Sequence, residues 1–167
     1  MTKSKPHLSS GQSLIEMLVA LGIFGIIVIP FFSSLGNLAD AQLRYRLRTQ
    51  ATQYVREGME ITYSLSANTK PWQNFTDLAD PNKTYYPTNY PTALALIEGE
   101  QTLAGERFTR RIILTHAKRN IAGNLDDNGT IIDNKTVKAV CEVFWQHRGQ
   151  EENIQLESYF VETKKQI

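Results

Sequence analysis

The sequence has a single cysteine, Cys141, among its 167 residues. No disulfide can therefore form within the chain, and cysteine usage gives no support to a disulfide-stapled secreted scaffold. Cys141 stands in an alternating apolar stretch, which is typical of a small buried hydrophobic side chain and not of a nucleophile or a metal ligand. We therefore assign this residue no chemistry.

An excess of charge of one sign is also lacking, because 18 Lys and Arg face 17 Asp and Glu. With this balance, the net charge creates no strong electrostatic field that would favour binding to nucleic acid or to an acidic partner. One basic cluster mixes with a single aromatic residue, Phe108, and alternates with Ile112 and Leu114. We interpret the cluster as a solvated strand face and expect no nucleic-acid binding. Its members are Arg107, Arg110, Arg111, Lys118 and Arg119.

Few residues are spaced along the sequence as in known metal-binding or catalytic motifs. His116 and His147 have no Cys or second His at zinc-ligand spacing. The stretch NLDDNGTIID, with Asp126, Asp127, Asn128 and Asp133, resembles a calcium loop but lacks the spacing and closing Glu of an EF-hand. A turn between strands is the favoured interpretation, with calcium binding left open. No nucleophile, base and orienting residue stand at interpretable spacing. We expect no catalytic site, no cofactor and no metal, and no enzymatic activity.

The sequence does contain one long apolar run. Residues 14–32 carry Glu16 as their only charge. At about 1.5 Å per residue, a helix of this length covers most of a hydrocarbon core roughly 30 Å thick. Lys3 and Lys5 precede the run, so the positive-inside bias leaves the N-terminus cytoplasmic. The pattern predicts a single-pass inner-membrane protein whose chain after about residue 36 lies outside the cytoplasm.

A cleaved secretory signal explains this run less well, because such signals have a shorter apolar region and a small-residue cleavage site. Here the run continues into apolar residues at intervals of three and four. One long helix is predicted, ending near Leu65, with a lipid-facing first half and an amphipathic second half. Pro30 predicts a kink within it. The positions of this largely apolar stripe are Leu35, Leu38, Ala39, Gln42, Leu43, Leu47, Ala51, Tyr54, Val55, Met59 and Ile61.

The remainder of the chain has strand character. Residues 66–92 are rich in Asn, Thr and Pro and are predicted to form a loop. Four strands, at 92–98, 108–115, 136–145 and 153–161, are predicted to form a small antiparallel sheet within residues 93–162. The fold class is therefore α+β, with the sheet covering the apolar stripe of the helix after Leu35. Two inward faces are expected, one of Val137, Ala139, Cys141, Val143 and Trp145, the other of Ile154, Leu156 and Phe160.

Glu16 is the most informative residue. A carboxylate near the membrane-embedded end of a helix is costly, and such groups are usually partnered and functional. Glu16 therefore needs a cation. The alternative is that Glu16 only marks the interfacial edge of an ordinary membrane anchor.

Residues 11–24, GQSLIEMLVALGIF, resemble the prepilin cleavage and methylation motif. Through these residues the chain resembles the type IV pilin and type II secretion pseudopilin superfamily. The resemblance implies that a prepilin peptidase removes a leader of residues 1–11 by cutting between Gly11 and Gln12. The same peptidase then methylates the new amine of Gln12. Residues 12–35 become the transmembrane and assembly helix.

The resemblance also implies the role of Glu16 as the fifth mature residue. In that family this glutamate meets the N-terminal amine of a neighbouring subunit, which supplies the missing cation. Leu14 and Ile15 belong to the same assembly segment. The first mature residue is usually Phe or Met, and Gln12 departs from this pattern, which makes a major pilin less favoured.

The resemblance implies a pilin-like extracytoplasmic domain over residues 36–167. The order of the last three strands is similar to that of minor pseudopilins of the I and J types, or of V-type minor pilins. The expected function is a non-catalytic structural subunit of a type IV pilus or a type II secretion-like filament. Its partners would be the prepilin peptidase, other pilin or pseudopilin subunits and inner-membrane lipid. Two alternatives stay open, a single-pass anchored extracytoplasmic binding domain and a DNA-uptake pilin.

Overall fold

The computed structural model describes residues 10–88, 94–105 and 107–162, with side chains from residue 14 onward. The chain divides into two compact units, which meet between Tyr45 and Arg46 and are described separately. The elements in chain order are α1 (Ser10–Asn68), α2 (Gln73–Thr76), β1 (Tyr85–Thr88), β2 (Ala95–Glu98), β3 (Gln101–Leu103), β4 (Phe108–Arg119), β5 (Ile131–His147) and β6 (Gln150–Val161).

The first unit is helical from Ser10 to Tyr45 and forms the N-terminal part of α1. Its apolar side chains between residues 14 and 32 are exposed in the isolated chain. By length and composition, α1 is able to cross a membrane. The backbone stays helical through Pro30, and the kink at this residue remains a prediction.

The second unit contains a six-stranded antiparallel sheet. Its order is β2-β1-β4-β5-β6, and β3 pairs with the beginning of β4. The long pair of β4 and β5 has a bulge between His116 and Ala117. The turn from β5 to β6 consists of Arg148 and Gly149, both with positive φ, as a type I′ hairpin turn requires. The strands β4, β5 and β6 thus form a continuous meander.

The C-terminal part of α1 packs on the inner face of this sheet. Leu47, Ala51, Val55 and Met59 recur every four residues and are buried, so they line one side of the helix. They meet a core that includes Ile112, Leu114, Val137, Ala139, Cys141, Val143 and Trp145. The prediction of an α+β fold with a long helix on an antiparallel sheet is confirmed. The inward face predicted for β5 is confirmed as well.

The buried stripe of α1 begins later than predicted. Leu35, Leu38 and Leu43 stay 45%, 55% and 48% exposed, and burial in the core starts at Leu47. The stripe also continues further, through the buried Thr62 and Ser66.

The hydroxyl groups of these two buried residues are hydrogen-bonded within the helix. Thr62 donates to the carbonyl of Gly58 at 2.8 Å, and Ser66 donates to the carbonyl of Tyr63 at 2.7 Å. Burial then leaves no hydroxyl unpaired. The helix ends at Asn68, three residues beyond the predicted end near Leu65. Because Thr62 and Ser66 are polar, a search for regularly spaced apolar residues does not identify them as buried.

The predicted loop at 66–92 contains the end of α1, the short helix α2 and the strand β1. Phe75 of α2 is fully buried, with its ring 6.0 Å from that of Phe160. The strands β1 and β3 were not predicted, because four and three residues are too short to show an alternating pattern. The other strands are present, and β4, β5 and β6 are longer than predicted. On β6 the predicted inward face is only partly covered, since Leu156 is 42% exposed.

Arg110 corrects the interpretation of the basic cluster as a solvated face. Its side chain is only 2% exposed. Residues two apart on a strand point to the same side, so Arg110 shares the inner face with Ile112 and Leu114. Arg111 points to the other side, where its guanidinium lies 4.5 Å from the ring of Phe144. The cluster is therefore divided between the two faces of β4.

The buried guanidinium of Arg110 contacts α1 and β3. It donates to the backbone carbonyl of Tyr54 at 3.0 Å and to Oε1 of Gln101 at 2.6 Å. The carboxylate of Glu57 lies 3.4 Å away. A buried charge is tolerated only with such partners. Arg110 therefore ties the helix to the sheet at one position.

Gly58 brings α1 close to the sheet at the same place. A Cβ added to Gly58 would lie 2.8 Å from Sγ of Cys141 and 3.3 Å from Cδ of Arg110. Glycine is thus required by the close approach, although it costs a helix about 1 kcal/mol relative to alanine. Cys141 is fully buried, and this burial raises the pKa of its thiol to about 12. The thiol stays protonated at neutral pH, in agreement with the predicted packing role.

We expect a fragment of residues 36–167 to be soluble and to unfold cooperatively, because the second unit has its own core. A fragment of residues 69–167 should show no cooperative transition, since it lacks Leu47, Ala51, Val55 and Met59. Near-ultraviolet circular dichroism during heating measures both. A cooperative transition in the shorter fragment would show that the helix is not part of the core. A longer fragment without a transition would mean that the sheet needs a partner subunit.

We expect Gly58→Ala to lower the free energy of unfolding of fragment 36–167 by about 1–3 kcal/mol, the usual cost of overpacking. Helix propensity alone predicts the opposite sign. The added methyl group meets the sulfur of Cys141, so Cys141→Ala in the same chain should restore part of the loss. Urea denaturation of the parent, both single variants and the double variant gives the four free energies of unfolding that a double-mutant cycle requires. A Gly58→Ala variant more stable than the parent would contradict the close approach.

Candidate processing and assembly site

The predicted processing and assembly residues lie near the start of α1. Gly11 and Gln12 belong to its helical backbone, and their side chains fall outside the described part. Leu14, Ile15 and Glu16 occupy consecutive helical positions, with all three side chains exposed in the isolated chain. Their apolar neighbours along the helix are exposed on every side. Such a surface has no polar face for water and suits lipid or other helices.

Glu16 has few possible cations within its own chain. The side chains at three and four positions from it belong to Gln12, Ser13, Val19 and Ala20, which carry no charge. The next Lys or Arg after it is Arg44, 28 residues later (44 minus 16). That distance along a helix is roughly 42 Å. Lys3 and Lys5 precede Gly11, in the segment that cleavage would remove.

A cation for Glu16 within the apolar run must therefore be an N-terminal amine or a group of another molecule. Cleavage after Gly11 would create such an amine at Gln12. An uncleaved chain has none within the helix, because the backbone nitrogen of Gln12 is then an amide. Cleavage after Gly11 would therefore supply Glu16 with a possible counter-ion.

Three cations of β4 and β5, Arg111, Arg119 and Lys138, have carboxylate partners. Nε of Arg111 lies 2.8 Å from the carboxylate of Glu142, and Nε of Arg119 lies 2.8 Å from that of Asp133. Lys138 contacts Glu157 at 3.1 Å and also hydrogen-bonds Asp127. Burial alone would lower the pKa of the Lys138 ammonium, but the two carboxylates raise it overall. These pairs neutralise the three cations locally.

The acidic stretch at residues 124–133 runs from the connection after β4 into the first residues of β5. Asn128 donates its N–H to Oδ1 of Asp126 at 3.0 Å, and the N–H of Gly129 donates to the carbonyl of Asp126 at 2.8 Å. These bonds define turns, as predicted. The other two aspartates have separate partners, Lys138 for Asp127 and Arg119 for Asp133. The hydrogen bond from Lys138 holds the pKa of Asp127 below its usual range.

The two histidines of the second unit are far apart. His116 pairs in register with Val137, and His147 ends β5 ten residues beyond that position (147 minus 137). Ten residues of strand span roughly 33 Å. Within residues 10–88, 94–105 and 107–162, no group of three His, Cys, Asp or Glu side chains could hold a metal ion.

Comparison with protein-family models matches residues 7–32 to the prokaryotic N-terminal methylation motif. Searches of the curated proteins and of the solved structures gave no match. The matched residues include Gly11, Gln12 and Glu16, and they begin before the apolar run and end with it. The motif implies a precursor of the pilin or pseudopilin kind, and such proteins are structural and not catalytic. The chain therefore carries a prepilin-type methylation motif over residues 7–32 together with a pilin-like α+β architecture.

Proposed function

We propose that this protein is a minor pilin or minor pseudopilin, cleaved between Gly11 and Gln12 and assembled into a filament through α1. The observation that carries the proposal is the methylation motif over residues 7–32. The architecture supports it, because the apolar helix continues into a segment that packs on an antiparallel sheet. The β4, β5 and β6 meander supports the finer assignment to the I, J or V types.

Assembly in this proposal depends on Glu16. Once subunits lie side by side, the carboxylate of Glu16 meets the methylated N-terminal amine of a neighbouring subunit. Two opposite charges about 4 Å apart attract several-fold more strongly in poorly screened apolar surroundings than in water. Leu14 and Ile15 flank the pair and exclude water from it. The same pair sets the axial offset between neighbouring helices, since any other offset leaves both charges unpaired in an apolar environment.

The proposal includes a route. Residues 12–35 hold the subunit in the inner membrane, with residues 36–167 outside the cytoplasm, until the helix moves into the filament. The positive flank of Lys3 and Lys5 supports this orientation. Lipid around the apolar run is replaced by the helices of other subunits, which present a similarly apolar surface. In that step the helix exchanges one apolar environment for another, so the hydrophobic effect contributes little to it. Helix packing and the Glu16 ion pair then supply the free energy that favours the filament.

We expect Glu16→Ala to separate insertion from assembly. Loss of the charge should leave insertion unchanged or improve it, by up to about 3 kcal/mol at a membrane centre. The partner amine loses its counter-ion, and breaking a buried pair costs about 3–5 kcal/mol. Recovery in sheared filaments should therefore fall at least tenfold, while cleavage and membrane residence persist. Immunoblots of membrane and filament fractions measure the two quantities.

Two variants serve as controls for this experiment. Glu16→Gln keeps the volume without the charge and should behave like Glu16→Ala. Glu16→Asp keeps the charge and should retain more incorporation than either. Unchanged incorporation of Glu16→Ala would identify Glu16 as a boundary charge of an ordinary anchor, and would favour an anchored extracytoplasmic domain.

A further inference from the structure

Four asparagines of the second unit stand in the triplet Asn-x-Thr. They are Asn74, Asn82, Asn128 and Asn134, each with a threonine two positions later. This triplet, with any residue except proline in the middle, is the acceptor for N-linked sugars in exported proteins. The sugar-transferring enzyme needs both the amide of the asparagine and the hydroxyl of the threonine. The surroundings of these two groups therefore decide which triplets an enzyme can bind.

In two of the triplets the threonine hydroxyl is used inside the fold. Thr76, two residues after Asn74, is 2% exposed and donates to a backbone carbonyl of α2 at 3.0 Å. Thr136, two residues after Asn134, is also 2% exposed and donates to Oδ2 of Asp133 at 2.8 Å. An enzyme could reach either hydroxyl only after local unfolding of α2 or of β5. Both triplets are therefore closed to an enzyme that acts on the folded protein.

The triplet at Asn82 is intermediate. Thr84 is half-buried directly before β1, and its carbonyl accepts the N–H of Gly99 at 2.8 Å. The middle residue, Lys83, forms an ion pair with Glu98 at 2.9 Å. Both contacts tie this triplet to the end of β2. It therefore has an exposed asparagine on a backbone that is held in place.

The triplet at Asn128 lies at the tip of the connection between β4 and β5. Asn128 and Thr130 are both exposed. Asn128 is the third residue of a tight turn, which the N–H of Gly129 closes by donating to the carbonyl of Asp126 at 2.8 Å. A protruding turn of small and polar residues is the kind of segment on which an enzyme acts without unfolding the protein. Of the four triplets, this one has the most accessible amide and hydroxyl.

The tip lies over the face of the sheet that is turned away from α1. Asp127, next to Asn128, contacts Lys138 and Tyr159. The side chains of Lys138 and Tyr159 point to the outer face of the sheet, because their neighbours along β5 and β6 point to the core. The last part of α1 packs on the opposite face. A bulky hydrophilic group on Asn128 therefore leaves the packing of the helix undisturbed.

We propose that Asn128 is an N-linked glycosylation site, which a transferase modifies on the outer side of the inner membrane. The donor is a saccharide joined through C1 to a lipid phosphate. In the transfer, Nδ2 of Asn128 forms a bond to C1 and loses one proton. The bond between C1 and the phosphate oxygen breaks, and the lipid phosphate leaves with the electron pair. The site rests on the proposed function, because the donor and the second unit must lie on the same side of the membrane.

Mass spectrometry of the full chain from native membranes tests the site. The proteolytic peptide that contains Asn128 should carry a saccharide, and its fragmentation should release sugar ions. Asn128→Gln and Thr130→Val should each lower the amount of this glycopeptide at least about tenfold, because each removes one of the two groups that the motif requires. Thr130→Ser keeps the hydroxyl and should retain the saccharide.

Asn134→Gln is the matched control, because Asn134 is exposed nearby but its threonine is buried. The intact mass of this variant should still include the saccharide. A saccharide on Asn134 or Asn82 in place of Asn128 would overturn the assignment by exposure, and with it the site. An unmodified Asn128 in the native protein would overturn the proposal, as would a saccharide that persists in Thr130→Val.

The outcomes separate this site from the proposed function. If the chain begins at Gln12 and protease added to spheroplasts digests the second unit, absence of the saccharide overturns the glycosylation site alone. If the protease reaches the second unit only after the membranes are opened, the proposed orientation fails and the site fails with it. A saccharide on Asn128 of a chain that retains residues 1–11 supports the site and contradicts the proposed processing.

Discussion

The contact between α1 and the sheet around Arg110 determines how the second unit is built. The guanidinium donates to the carbonyl of Tyr54 and lies 3.4 Å from the carboxylate of Glu57, and Gly58 permits the close approach. A buried cation without these partners would be strongly unfavourable, so the helix cannot slide along the sheet without losing them. Within the second unit, the same packing leaves a groove beside β6.

The same helix meets two different demands along its length. Its first part, through residue 32, presents apolar side chains all round and suits lipid or a helical filament. Its last part is buried on one side only, against the sheet. Leu35 and Leu38 lie between these two parts, after the apolar run and before the buried stripe, and both are exposed. Other subunits are the natural source of cover for such residues in a filament, which joins the structure of the single chain to its proposed assembly.

Much of this fold could be predicted from the sequence, because its main elements are long and periodic. Apolar residues recur every three or four positions in α1 and every second position from Val137 to Trp145. These two patterns predict a helix and a strand that each have one apolar face, and the two faces pack against each other. The strand β1 and helix α2 were missed, because they are short and are held by tertiary contacts such as the burial of Phe75. Arg110 was misjudged by residue type, although its spacing from Ile112 places it on the inner face. At the candidate site, Gly11 and Glu16 were predicted from the motif and lie within the matched family model. The groove was not predictable, since it depends on where α1 crosses the sheet.

The start of the mature protein tests the central claim most directly. Mass spectrometry of the protein from native membranes, with and without the prepilin peptidase, identifies its first residue and any methyl group. The account predicts a chain that begins at N-methylated Gln12, and an unprocessed chain when Gly11 is replaced by Val or when the peptidase is absent. A mature protein that retains residues 1–11 in the presence of the peptidase would contradict it.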